Sequence, residues 1–153
     1  MTLSYGRPFR HLQPGQACYL AGLVDGEGCI RAKKIDLSRE PWYPLLTIQM
    51  ATLEPLATVC GWLAPNYEPR LRKDRPMWRV DWIAWRAADI LDQIRPYLIL
   101  KADQADLALE LHAIRAGRGT GNNPRKGLVT RTPETTIARM NEIREQLMRL
   151  KKV

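Results

Sequence analysis

The chain is 153 residues long, with 24 Lys and Arg against 16 Asp and Glu and a formal net charge of +8. That length suits a single domain enclosing a real hydrophobic core, and the basic excess favours a polyanionic partner such as nucleic acid, although basic proteins also carry charge as a merely solvated surface. Nowhere is there the run of about eighteen apolar residues that a membrane span requires, the N-terminus lacks the apolar stretch and cleavage site of a signal peptide, and Cys18, Cys29 and Cys60 are dispersed with no C-x-x-C pair, so the expectation is a soluble intracellular protein with reduced cysteines.

Residues 1–14 read as a polar, loose leader. The apolar stretch from Gln16 to Asp25 then predicts a buried helix stopped by Gly26-Glu27-Gly28. From Cys29 to Asp36 the pattern alternates, with Ile30 and Ala32 on one face and Arg31 and Lys33 on the other, as a half-buried strand requires. Ser38 to Trp42 reads as a turn, and Tyr43 to Met50 as a second strand with Leu46, Ile48 and Met50 on one side and Thr47 and Gln49 on the other. Thr52 is the cap of a helix that has Pro55 in its first turn and runs through Leu56, Val59, Cys60 and Leu63.

A second hairpin is expected from Tyr67 to Lys73 and from Met77 to Ala84, where Arg70, Arg72, Arg79 and Asp81 interleave with Leu71, Trp78, Val80 and Trp82. Helices follow at Arg86 to Ile94 and at Lys101 to Ala116, the second stopped by Gly117. Residues 117–131 shift to Gly, Asn, Arg and Lys without periodicity and read as an exposed basic loop. A last helix, opened by Thr132 and Pro133, places Ile137, Met140, Ile143, Leu147 and Leu150 on one stripe. The prediction is therefore one α+β domain over residues 1–153, with two hairpins set among helices. Of the five tryptophans, Trp78 and Trp82 share a phase with Val80 and belong on the helix-covered face, whereas Trp42 in its turn could touch a nucleic-acid backbone. His11 and His112 stand alone and indicate neither a zinc site nor an HNH-type nuclease.

The segment Leu20-Ala21-Gly22-Leu23-Val24-Asp25-Gly26-Glu27-Gly28 resembles the LAGLIDADG signature of homing endonucleases, departing from it at Val24, Gly26 and Glu27. The resemblance covers most of residues 15–116, through the order αββαββα, and the basic loop and last helix only loosely. It implies a four-stranded antiparallel saddle on DNA and a homodimer joined through the motif helices. It also implies metal-dependent cleavage of both strands of a long, nearly palindromic site, with short 3′ overhangs, leading to insertion of an intron or intein.

The residues make physical sense of this. Small side chains at Ala21 and Gly22 permit close helix approach, so Leu20, Ala21, Gly22, Val24 and Asp25 are the expected dimer contacts. At the helix end, unpaired carbonyls and the Glu27 carboxylate form a corner that attracts a hard cation, Mg²⁺ with Mn²⁺ or Ca²⁺ as substitutes. By resemblance Glu27 is the metal ligand, the Gly26 carbonyl a helper, Lys101 the cation beside the reacting phosphate, and Thr52 or Gln49 an accompanying polar group. Arg31, Lys33, Thr47, Gln49, Arg70, Arg72, Arg79 and Asp81 are the expected DNA contacts, with Arg suited to guanine and Gln49 to adenine. The alternative is a non-cleaving binding module of the same fold, an RNA-splicing maturase or a transcription regulator, using the same basic surface for RNA or DNA.

Overall fold

A computed structural model of the chain describes residues 9–34, 42–64, 69–71, 75–117 and 134–151. In chain order its elements are helix α1 (Pro14–Glu27), strands β1 (Gly28–Lys34) and β2 (Trp42–Met50), helix α2 (Leu53–Leu63), strands β3 (Arg70–Leu71) and β4 (Trp78–Ile83), helix α3 (Trp85–Ile94), a 3-10 turn at Arg95–Tyr97, and helices α4 (Ala102–Gly117) and α5 (Glu134–Lys151). The four strands form one antiparallel sheet in the order β1-β2-β4-β3. The expected α+β order is present. Among the described residues no helix is long and apolar enough to cross a membrane.

Helix α1 begins earlier than its apolar pattern. Pro14 occupies the first turn, where its missing N–H forfeits no bond, and the Gln16 side chain accepts the Gln13 backbone N–H at 2.9 Å. The residues before it are not a free leader from position 9 onward. Phe9 and Leu12 are buried, the Arg10 N–H donates to the Leu63 carbonyl, and the Leu12 N–H donates to Gln93 Oε1. Two apolar side chains in an otherwise polar stretch suffice to dock it.

The sheet register explains which face is which. Ile30, Leu46 and Trp82 lie abreast, as do Gly28, Ile48 and Val80. Their side chains point into a core shared with α1, α2, α3, α4 and α5, in which Trp82 is fully buried and Trp78 is packed at the margin. The opposite phase carries Cys29, Arg31 and Lys33 on β1, Thr47 and Gln49 on β2, Arg79 and Asp81 on β4 and Arg70 on β3. Strand β2 is buried on both faces, against the simple alternation expected: Tyr43, Leu45 and Thr47 are all buried. As an inner strand it has long-chained neighbours on both sides; Leu45 lies abreast of Arg31 and Ile83, and the Arg115 guanidinium stands 5.8 Å over the Tyr43 ring.

Trp42 is corrected by the structure. It begins β2 instead of sitting in a turn, its indole Nε1 donates to Asn141 Oδ1 at 2.7 Å, and the Arg144 guanidinium lies 4.7 Å over its ring. It anchors α5, whose Met140, Ile143 and Leu147 complete the core, while Arg139 ties the same helix to Glu110 of α4. The expected strand from Tyr67 is described only as Arg70–Leu71; Tyr67, Arg72 and Lys73 lie outside the described residues, as do the basic segment from 118 and the Thr132-Pro133 cap.

Candidate nuclease site and nucleic-acid face

The end of α1 is fastened to the start of α4 by a two-way clasp. The Asp25 carboxylate accepts backbone N–H bonds from Ile99 at 2.8 Å, Leu100 at 3.1 Å and Lys101 at 2.9 Å. In return the Lys101 ammonium donates to the main-chain carbonyls of Val24 at 2.9 Å and Asp25 at 2.7 Å. A cation against the last turn of a helix offsets the negative end of its dipole, and an anion before a helix favours that helix's N-terminus, so each half of the clasp stabilises the helix it reaches. Burial would raise the Asp25 carboxyl pKa, but the N–H donors of Ile99, Lys101 and Leu100 and the Lys101 charge outweigh it and hold the group below the usual range.

This geometry sorts the acids. Asp25 is committed to the clasp, whereas Glu27, the last residue of α1, is exposed, as is Gly26. The Val24 carbonyl also accepts the Gly28 N–H. Gly28 has an ordinary extended backbone, yet a Cβ there would stand 2.7 Å from the Val24 oxygen and 2.8 Å from Val24 Cα. The closing glycine of the motif is therefore a demand for close approach: only hydrogen fits where the chain turns from α1 into β1. Since Gly28 pairs with Ile48, the next residue of β2, Gln49, comes level with the Glu27 end of the helix.

Lys101 is thus brought to the same helix end as Gly26 and Glu27. Thr52 is exposed at the N-cap of α2, beyond the end of β2, and its side chain makes no capping bond. Among the described residues no three His, Cys, Asp or Glu side chains converge. The oxygens this helix end can offer a cation are the Glu27 carboxylate and the Gly26 carbonyl, which leaves room for water. That donor set suits a hard, partly hydrated ion.

Most of the positions expected to meet a partner helix face inward. Leu20, Ala21 and Val24 have no exposed surface and belong to the protein's own core, and Asp25 is occupied by the clasp. The opposite side of α1 presents Gly15, Cys18, Tyr19, Gly22 and Gly26, and a Cβ on Gly15, Gly22 or Gly26 would meet nothing within 4 Å. Three apolar positions of a near-uniformly apolar helix had to choose a side, and the sheet took them. Of the five expected positions, Gly22 alone is exposed.

On the outward sheet face, Lys33 and Arg70 are exposed, and Arg31, Gln49, Arg79 and Asp81 are half-buried. Thr47 is recessed, 6% exposed, with its hydroxyl donating to Asp81 Oδ1 at 2.5 Å. Arg79 Nε reaches both oxygens of the same carboxylate, at 3.1 and 3.0 Å. Arg70 lies directly abreast of Arg79, and like charges in such cross-strand positions repel. Arg31 Nε is buried without a hydrogen-bond partner. Neither the clasp nor the Thr47-Asp81-Arg79 group is a pattern of neighbouring residues, and the one local signal was the phase shared by positions 79 and 81.

No protein-family model and no curated protein matches the chain. In structure it is similar to the homing endonuclease I-CvuI, seen in complex with the I-CreI target in the presence of Mg with the DNA not cleaved, at a TM-score of 0.63 and 21% identity over 88% of this chain and 81% of that one. It is similar also to the archaeal intron-encoded homing endonuclease I-Vdi141I complexed with DNA, at a TM-score of 0.60 and 14% identity over 89% of this chain and 84% of that one. The LAGLIDADG homing endonuclease I-SmaMI, bound to cleaved DNA, matches at a TM-score of 0.55 and 16% identity over 93% of this chain but 47% of its own, so this chain spans about half its length. The chain has the LAGLIDADG homing endonuclease fold.

Proposed function

We propose that the protein is a site-specific, metal-dependent DNA endonuclease that acts as a homodimer and cuts both strands of a long, pseudo-palindromic duplex. The observation that carries this reading is the α1 terminus, where an exposed carboxylate and a main-chain carbonyl adjoin a lysine held on the same helix end, beside a sheet face set with arginines. The motif resemblance and the DNA-bound state of structurally similar nucleases support it.

In this reading Glu27 and the Gly26 carbonyl hold Mg²⁺, with Mn²⁺ or Ca²⁺ able to take its place. When bound, the ion would supply Lewis-acid activation of the scissile phosphodiester and of the attacking water. Lys101 keeps positive charge beside the phosphate and neutralises the carbonyls behind Glu27. Arg31, Lys33, Arg70 and Arg79 neutralise and orient the duplex; Gln49, level with the helix end, faces the central base pairs. One chain supplies one carboxylate, so two cuts require two chains. Gly15, Gly22 and Gly26 leave a strip of bare backbone along α1 beside Cys18 and the exposed Tyr19 ring, and packing two such strips together sets the two Glu27 residues on either side of a two-fold axis.

The test is incubation of the protein with Mg²⁺ and a library of long duplexes, alongside Glu27→Gln. Specific double-strand breaks that disappear in the variant, with duplex affinity retained, are the expected result. Tight duplex or RNA binding without breaks would instead make the chain a binding module, the maturase or regulator class.

A further inference from the structure

The Arg79, Asp81 and Thr47 group does more than add charge to the sheet face. A free arginine on a strand has several rotamers and binds phosphate and base edge alike. Here Nε is spent on both oxygens of Asp81, whose carboxylate is itself fixed from below by the buried Thr47 hydroxyl. That leaves the two terminal nitrogens, which hold no hydrogen bond among the described residues, as a planar fork at the outward end of the side chain. Such a fork matches the paired O6 and N7 acceptors of guanine in the major groove. Thr47, at 6% exposure, is too deep to reach a base, and both Asp81 oxygens are already engaged. Arg70 abreast of Arg79 has no such brace among the described residues and is exposed, as suits a contact to the backbone.

We infer that Arg79 selects a guanine in each half-site, and that Asp81 and Thr47 are positioning residues that hold Arg79 in its reading pose instead of contacting bases themselves. The inference rests on the DNA reading above. It turns two of the eight expected DNA contacts into a buttress for a third.

Selection from a randomised duplex library by the full-length protein in Ca²⁺, followed by sequencing of bound molecules, tests this. Wild type should enrich a motif with guanine at one symmetric pair of positions. Arg79→Ala and Arg79→Lys should both lower the guanine preference at that pair alone by about five- to a hundredfold, with Arg79→Lys keeping overall affinity because it keeps the charge. Asp81→Asn and Thr47→Val should relax the same pair, less strongly, and Arg70→Ala should weaken binding to all sequences without altering that pair. An unchanged guanine preference in Arg79→Ala would overturn the assignment, and a change at a different pair in Asp81→Asn would make Asp81 a base reader in its own right. No enriched duplex with wild type would overturn the DNA reading itself, a separate outcome.

Discussion

Replacing Asp25 by alanine removes three hydrogen bonds to a carboxylate, two of them to amides of exposed residues, Ile99 and Leu100, and one to the half-buried Lys101. All three are charge-assisted, but water can replace the carboxylate at the first two amides, so each contributes about 0.5–1 kcal/mol, whereas the third, less accessible, contributes about 1.5–2 kcal/mol. The three act on one short segment and do not add fully, so a loss of about 2–3 kcal/mol is expected in urea or guanidinium denaturation. The pH dependence has a defined sign. Because the folded carboxyl lies below its unfolded value, its stabilisation is fully present above about pH 5, declines as pH falls through the unfolded value of about 3.9, and vanishes below the folded one. The difference between wild type and Asp25→Ala should therefore be flat at neutral pH and shrink in acid. Cleavage should fall as well, because Lys101 loses the anchor of its own backbone while Glu27 remains. A stability difference under about 0.5 kcal/mol, or one that grows as pH falls, would refute the clasp as a stabilising element.

Gly28→Ala drives a methyl against Val24 backbone atoms that cannot swing aside, so a loss of about 1–3 kcal/mol is expected by denaturation, with the α1 end displaced. Ala84 stands between β4 and α3 with φ 55° and ψ −121°, a combination natural to glycine in a turn, so Ala84→Gly should raise stability by about 1 kcal/mol after the flexibility gained by the unfolded chain is set against the relieved strain. Trp42→Phe keeps a ring for Arg144 but deletes the indole donor to Asn141; a loss of about 0.5–1.5 kcal/mol is expected, with faster amide exchange in α5 than in α4.

Periodicity and punctuation were enough to lay out α1, β1, β2, α2, α3 and α4 in order, because apolar spacing and glycine or proline stops act locally along the chain. The phase of β1 and β4 was legible for the same reason: Ile30, Val80 and Trp82 alternate with polar or charged residues such as Arg31, Arg79 and Asp81, and all three are buried. The nine-residue segment ending in Glu27 and Gly28 pointed to a helix end with a carboxylate beside it, and that is where the structure has them.

What the tertiary structure alone decided was which groups remain available. Leu20, Ala21 and Val24 looked as fit for a partner helix as Gly22, and only packing against this chain's own sheet took them inward. The resemblance already set Glu27 apart from Asp25 as the ligand, but the partners of Asp25, in a segment some seventy residues away, were invisible in the sequence, and they leave Glu27 as the exposed acid. Thr47 was a half-exposed strand position until β2 became an inner strand, and its meeting with Asp81 and Arg79 depends on a pairing between distant strands. Local pattern records how a residue suits its own helix or strand, whereas burial and partner choice depend on what the rest of the chain brings alongside.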